Sequence, residues 1–268
     1  MSGGTGKTPL VIKLIEILNI TNNRLAVVAG GYSGNFTCKA SVIRVDRRKH
    51  VARHVGDEAL LLAKYARTYV SKNRVKAVIR AKKDGAKIII MDDGLQNNKI
   101  FKNISICIWP LTIRNKFPVP AGPMRELSAS VLSKSDVIVI DEELDNVTSR
   151  LFKGKLVIQQ KQIIKNVQDL RGHRYILVCA IARPERVLQK LSEHDVRIVE
   201  KIFFPDHYFF QEKELFEICS RMRLLYCRIL TTSKDFTRIP AKFHIYIDVI
   251  QLDIALNPEE ELLRKLMC

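Results

Sequence analysis

The run Gly3-Gly4-Thr5-Gly6-Lys7-Thr8-Pro9 constrains this chain more than any other feature. A glycine-rich turn that closes on Gly-Lys-Thr and enters an apolar helix aims backbone N–H groups, a lysine ammonium and a threonine hydroxyl at one point. That arrangement cradles a polyphosphate and its Mg²⁺. Loops of this kind belong to α/β folds, so the expectation is a phosphate-loop-type doubly wound sheet that handles ATP or GTP. The strict pattern asks for a glycine five residues ahead of Gly6, where Met1 stands, so the match is to the Gly-Lys-Thr half. The strand that normally feeds such a loop is not in the sequence, which reads as an N-terminally shortened version of a longer protein.

Hydrophobic periodicity alternates helix and strand from end to end. Residues 10–18 carry apolar side chains at helical spacing, and 25–29 form a short apolar strand before the Gly30-Gly31-Tyr32-Ser33-Gly34 turn. Helices are expected at 57–65 and 75–82, and strands at 87–91, 104–109 and 136–140. A second set follows the polar stretch 142–150. It has strands at 156–159, 175–180, 196–202, 228–231 and 243–249, and helices at 185–191, 212–221 and from Pro258 onward. The expected organisation is a nucleotide-binding core over 1–148 and a second, smaller α/β domain over 149–268.

Lys and Arg total 45 against 28 Asp and Glu, a formal net charge of +17, which favours phosphates, nucleic acid or an anionic membrane surface as partners. The basic clusters, such as Arg47-Arg48-Lys49 and Lys82-Lys83, lack the aromatic interleaving of a single-strand-binding groove, so nucleic acid is not expected. The six cysteines form no Cys-x-x-Cys pair and sit mostly in apolar segments, as buried thiols in a reducing compartment would. No apolar run reaches the roughly 18 residues that cross a bilayer, so the chain is expected in the cytoplasm, free or peripheral to a membrane. His50 and His54 stand at the i, i+4 spacing of zinc ligands, but with no third ligand nearby they read as solvated.

The strand expected at 87–91 ends in Asp92-Asp93-Gly94, some 85 residues beyond the Gly-Lys-Thr loop. A carboxylate at that place can reach Mg²⁺ held by the loop threonine. Thr8, Asp92 and Asp93 are therefore the candidate metal residues, with the choice between the two aspartates open. Asp-Asp-Gly is also a common turn after a strand.

The blocks Gly3-Gly4-Thr5-Gly6-Lys7-Thr8-Pro9, Gly31-Tyr32, Gly56-Asp57-Glu58, Asp92-Asp93-Gly94-Leu95-Gln96, Pro120-Ala121-Gly122-Pro123-Met124-Arg125-Glu126, Phe204-Pro205-Asp206-His207-Tyr208 and Thr232-Ser233-Lys234-Asp235 run in order along nearly the whole chain. Together they resemble the tetraacyldisaccharide 4′-kinase family, whose members phosphorylate a lipid A disaccharide precursor in Gram-negative bacteria. The resemblance implies ATP and Mg²⁺ as cofactors, the lipid A precursor and an anionic inner-membrane surface as partners, and a peripheral place on the cytoplasmic face of that membrane. It implies that Asp57 accepts the proton of the sugar 4′-hydroxyl with help from His207, an arrangement suited to general-base work. Gly3, Gly4, Thr5, Gly6, Lys7 and Thr8 would hold the nucleotide, with Gln96 beside them. Arg125, behind a rigid Pro-Ala-Gly-Pro turn, would grip a phosphate oxygen; Arg74 is a further candidate.

The chain departs from the family pattern at several positions. Ser-Arg-Gly-Tyr-Gly is Ala29-Gly30-Gly31-Tyr32-Ser33 here, the His after Asp-Asp-Gly-x-Gln is Asn97, and Gly-Asn-Gly is Arg114-Asn115-Lys116. Two alternatives therefore stay open: a nucleotide-binding remnant without turnover, and a partitioning-type ATPase, whose loop would carry Lys where Ser2 stands.

Overall fold

The computed structural model describes residues 6–18, 24–31, 34, 42–111, 115, 117–119, 121–122, 126–142 and 146–267. Its helices are α1 (Lys7–Leu18), α2 (Ala52–Val55), α3 (Asp57–Leu62), α4 (Arg74–Lys83), α5 (Ser128–Ser133), α6 (Asn146–Leu151), α7 (Val167–Leu170), α8 (Pro184–Ser192), α9 (Glu212–Leu224), α10 (Ser233–Phe236) and α11 (Glu259–Met267). Among the described residues, twelve strands form three four-stranded sheets. The first contains β1 (Leu25–Ala29), β2 (Ile43–Arg44), β3 (Arg67–Val70) and β4 (Ile88–Met91) in the order β2-β3-β1-β4. The second has the order β12-β7-β6-β5, from β5 (Ile106–Trp109), β6 (Val137–Ile140), β7 (Leu156–Ile164) and β12 (Leu252–Asn257). The third has the order β11-β10-β8-β9, from β8 (Arg174–Cys179), β9 (Arg197–Phe203), β10 (Arg228–Thr232) and β11 (Ile247–Ile250).

The chain is a mixed α/β protein whose sheets are predominantly parallel; β2 and β3 pair antiparallel. The central strands read as continuous apolar runs because helices cover both faces of such sheets. Leu25–Ala29 and Val137–Ile140 are buried at every position.

The compact units do not follow a single cut near residue 148. One comprises 1–19, 91–162 and 254–268, and the other 20–90 and 163–253. In the first unit, α1 buries Thr8, Leu10, Val11, Leu14, Ile15 and Leu18, the stripe that its spacing demands. Trp109 of β5 is fully buried and meets the ring of Phe152 edge to face at 5.6 Å, within a core that includes Val131 and Ile138.

In the second unit, the third sheet carries apolar clusters on both faces. Ile176, Val178 and Phe210 lie in one, and Tyr175, Leu177 and Leu191 in the other. The strand order β11-β10-β8-β9 means that the chain leaves β8 in one direction, forms β9, then crosses back over β8 to form β10. Such a reversal opens a crevice outside the carboxyl ends of the two strands that flank it, the usual ligand position in parallel sheets.

Sequence expectation and structure differ at the C-terminal end of this sheet. Residues 243–249, expected as one strand, divide into a 3₁₀ helix at Ala241–Tyr246 and the short β11. Pro240 sets the turn, Phe243 N–H bonds the Pro240 carbonyl at 3.0 Å, and the Phe243 ring is buried in the core, so its apolar character reflects a helical turn. Cys107, Cys179 and Cys219 are buried free thiols and Cys227 is half-buried; burial pushes the Cys107 thiol up to about 11.

Candidate functional site

The candidate residues gather in two clusters, one in each unit. In the first unit, Gly6 has φ +77 and Leu10 N–H reaches its carbonyl at 3.1 Å, so the helix begins directly behind it. A Cβ at Gly6 would stand 3.4 Å from Gln160 Nε2, an ordinary contact, so glycine is required there by its backbone and not by space. Lys7 and Thr8 open α1. The first turn holds no acidic residue that would neutralise the positive end of the helix dipole. Thr8 is buried at 9% exposure.

After β4 the chain turns at Asp92-Asp93, with Asp93 in the left-handed region at φ 55, which Asp tolerates better than most residues. Lys7 Nζ donates to Asp93 Oδ1 at 3.0 Å, with side-chain exposures of 29% and 15%. Asp92 is buried at 6% exposure. The loop lysine and the strand-end aspartate thus meet directly. Gln96 lies half-buried in the following turn, where Asn97 N–H bonds the Gly94 carbonyl at 3.0 Å.

Gly3, Gly4, Thr5 and Arg125 lie outside the described residues, as do Pro120, Pro123 and Met124. Around them, Asn115 staples its own loop. Its Nδ2 donates to the Ala121 carbonyl at 2.8 Å and its Oδ1 accepts from Phe117 N–H at 3.0 Å. Glu126 pairs with Lys134 at 2.8 Å and Ser130 at 3.0 Å.

The second cluster, in the other unit, gathers at the carboxyl ends of β8, β9 and β10. Gly56, at φ 90, ends α2 with its N–H on the Ala52 carbonyl at 2.8 Å and starts α3 immediately, a double duty that only glycine performs without strain. Asp57 then stands at the first position of α3, 2% exposed, with Oδ1 accepting from Glu58 N–H at 2.9 Å.

His207 comes from the turn after β9. Tyr208 N–H bonds the Pro205 carbonyl at 3.1 Å, and His207 at φ 62 occupies the third position of that turn, where a type II turn requires positive φ. His207 N–H also bonds the Ala180 carbonyl beyond β8 at 3.1 Å. Phe204 stacks on Tyr208 at 4.8 Å and meets Phe210 edge-on at 5.2 Å, and Tyr208 Oη donates to Glu214 Oε1 at 2.7 Å. The Phe-Pro-Asp-His-Tyr block is therefore a clamped turn that presents one imidazole.

That imidazole meets Asp57: His207 Nδ1 lies 3.1 Å from Asp57 Oδ2, across 150 positions of sequence. Two cations that sequence reasoning left without a role complete the cluster. Lys234, 19% exposed, places Nζ 3.4 Å from His207 Nε2, 3.9 Å from Asp57 Oδ2, 3.6 Å from Glu58 Oε1 and 3.9 Å from Asp206 Oδ1. Arg238, fully buried, pairs with the equally buried Asp235, donates to the Ala180 carbonyl at 2.9 Å, and holds Nη1 3.6 Å from Asp57 Oδ2. Asp235 in turn accepts from Thr232 Oγ1 at 2.8 Å and Ala180 N–H at 3.2 Å, tying β10 to β8. The signal for Arg238 was its i, i+3 spacing from Asp235 behind an apolar strand, which also fits an exposed helix pair.

Burial alone would raise the Asp57 carboxyl, but the His207 hydrogen bond and the charges of Lys234 and Arg238 outweigh it and hold Asp57 below the usual carboxylate range. The hydrogen bond to Asp57 pushes His207 up, against burial and the Lys234 charge. Burial pushes Asp235 up despite Arg238.

Other sequence candidates lie elsewhere. Arg74 starts α4, capped by Asn73, whose Oδ1 accepts from Lys76 N–H at 3.2 Å. His50 and His54 are half-buried; His50 Nδ1 accepts from Asp46 N–H at 2.9 Å. Among the described residues no group of three or more His, Cys, Asp or Glu forms a metal cluster.

The family of tetraacyldisaccharide-1-P 4′-kinases matches residues 1–267. The chain is 32% identical over 269 residues to the tetraacyldisaccharide 4′-kinase of Methylobacterium radiotolerans, covering 98% of this chain and 82% of that one. Against the protein of the same name from Parvibaculum lavamentivorans it is 34% identical over 244 residues, covering 89% and 70%. Its backbone superimposes on LpxK of Aquifex aeolicus, an "apo" form in complex with ATP, with a TM-score of 0.75 at 21% identity over 99% of this chain and 84% of that one, a likeness of fold. On the match along its whole length, the chain belongs to the tetraacyldisaccharide 4′-kinase family.

Proposed function

We propose that this chain transfers the γ-phosphoryl group of ATP to the 4′-hydroxyl of a tetraacyldisaccharide 1-phosphate, a lipid A precursor. The observation that carries the reading is the Asp57–His207 contact at 3.1 Å. A buried carboxylate and a turn-borne imidazole from blocks 150 positions apart have met where a parallel sheet opens a ligand crevice.

The first cluster serves the nucleotide. Lys7 holds the β- and γ-phosphates, with the N–H groups at the start of α1 facing the same oxygens. The Lys7 ammonium pairs with Asp93 at 3.0 Å, which sets the lysine and the strand-end carboxylate side by side at the start of α1. The Thr8 hydroxyl and the Asp92 and Asp93 carboxylates are hard oxygen donors of the kind Mg²⁺ takes, so the residues fit that ion. When bound, Mg²⁺ neutralises charge on the transferring phosphoryl group.

The second cluster serves the acceptor. Asp57 takes the proton of the attacking hydroxyl, and His207 orients the carboxylate and shares its charge. Held below the usual carboxylate range, Asp57 is ionised at neutral pH and so free to accept that proton.

The membrane reading rests on the net charge of +17, since each Lys or Arg near an anionic surface contributes about 1 kcal/mol. Phe117, Val119 and Leu127 add exposed apolar side chains. No helix among the described residues is long and apolar enough to cross a membrane.

The test is single-turnover transfer from γ-labelled ATP to a tetraacyldisaccharide 1-phosphate, with the product's new phosphate located at the 4′ position. Lys7→Ala and Asp57→Ala should each lower transfer at least about a hundredfold, but only Lys7→Ala should weaken ATP binding. A folded parent protein that transfers nothing would overturn the proposal.

A further inference from the structure

His207 is held at both ring nitrogens, and the two partners differ in what they can offer. Nδ1 lies 3.1 Å from Asp57 Oδ2 and Nε2 lies 3.4 Å from Lys234 Nζ. A carboxylate can only accept, and an ammonium can only donate. Both contacts are satisfied by one form of the ring: neutral, with the proton on Nδ1 and the lone pair on Nε2. The other neutral tautomer sets a lone pair against a carboxylate and an N–H against an ammonium, and the imidazolium sets an N–H against an ammonium.

One group works against this arrangement. Asp206 Oδ2 stands 3.7 Å from the same Nε2 and would welcome a second proton there. The charged groups that face the ring and its partner, among the described residues, are Asp57 and Glu58 from α3, Asp206 from the turn, Lys234 from α10, and Arg238 beyond it. Among the described residues Lys234 is the cation nearest Nε2, and Glu58, Asp206 and Asp57 within 4 Å of its ammonium fix its position.

We propose that Lys234 is a positioning residue for phosphoryl transfer: its ammonium fixes the Nδ1–H tautomer of the neutral His207 ring and opposes a second proton on Nε2. Asp57 then receives one neutral hydrogen bond and remains available to accept the proton of the hydroxyl. An imidazolium in the same place would bind the carboxylate as a full ion pair and withdraw it. The inference rests on the kinase reading for its functional meaning, but the tautomer is a property of the protein alone.

The experiment therefore has two readouts on full-length protein. Two-dimensional ¹H–¹⁵N spectra of histidine-labelled protein, assigned with His207→Gln, report which ring nitrogen carries the lone pair across pH. The acid limb of kcat/KM for transfer reports when the ring takes its second proton. In the parent, the neutral ring should carry its lone pair on Nε2. Lys234→Met should let His207 take its second proton at a pH about one to three units higher, with the acid limb following and activity recovering toward alkaline pH. Asp206→Asn should move both in the opposite direction, and Lys234→Arg should restore the parental tautomer.

A parent spectrum whose neutral ring carries its proton on Nε2 would overturn the proposal, as would a Lys234→Met protein whose ring titrates as in the parent. A uniform fall in activity at every pH would also overturn it, leaving Lys234 a purely structural residue. If the parent shows no transfer, the kinase reading fails, and the spectra still decide the tautomer.

Discussion

Removing Arg238 is the severest single change the acceptor cluster can suffer while every proposed reacting group stays in place. The guanidinium and its partner Asp235 are both fully buried. Replacing Arg238 by Met keeps much of the volume and deletes the charge, leaving Asp235 buried without its cation and Asp57 without one of its two. Breaking a buried pair in this way costs about 3–5 kcal/mol, against a total of about 5–15 kcal/mol for a native protein. At roughly 2–4 °C per kcal/mol for units of this size, the melting temperature should fall by roughly 6–20 °C.

The loss should depend on pH with a definite sign. Burial already raises Asp235 above its ordinary value, and without Arg238 it rises further. A carboxyl raised in the folded state contributes stability below its unfolded pKa and loses it as pH climbs through the folded value. Asp57 loses a counter-charge too, so its lowered pKa moves up and some stability it contributes above the ordinary carboxylate range disappears. The Asp235 effect makes the deficit larger at pH 8 than at pH 5, while the Asp57 loss is already complete above the ordinary carboxylate range and adds equally at both. Thermal melts by circular dichroism at several pH values, without nucleotide, measure it. The double variant Asp235→Asn/Arg238→Met should lose about 0.5–3 kcal/mol less than the two single losses added together. An Arg238→Met protein that melts within about 2 °C of the parent at pH 8 would refute the reasoning, and so would a deficit independent of pH.

Two further outcomes follow from the clusters. In single-turnover transfer, Asp57→Ala and His207→Ala should combine non-additively, the double variant being little worse than the more damaging single one, because a proton acceptor and the ring that orients it act as a unit; strictly multiplicative losses would separate them. Sedimentation with vesicles should show binding to acidic lipid and release in high salt, since a net charge of +17 acts through a field that salt screens; equal binding to neutral vesicles would point to an apolar anchor instead.

What the sequence disclosed depended on how local the cause was. The apolar stripe of α1 and the unbroken run of β1 are set by neighbours three, four or two residues away, and both elements appear where periodicity places them. The 3₁₀ turn at Ala241–Tyr246 was misread because Phe243, Ile245 and Ile247 alternate like a strand while only the first and last are buried. The interleaved units were hidden for a different reason. Nothing in a strand's composition says which sheet it joins, and β12 closes a sheet whose other members lie far upstream in sequence.

The acceptor cluster shows the same limit at the level of single side chains. Asp57 and His207 were found as a pair only through motif blocks, because a helix-opening Asp and a turn His each have an ordinary local explanation. Thr232-Ser233-Lys234-Asp235 reads locally as a capped helix start, and it is one: Thr232 accepts from Asp235 N–H at 3.1 Å. The same cap aims Lys234 at His207 and, one turn later, Arg238 at Asp57, because β10 returns across β8 and sets this helix start beside the turn that follows β9. A residue that looks like a cap in sequence thus gains its second role from strand order, and strand order is the one level of this fold that local chemistry does not write down.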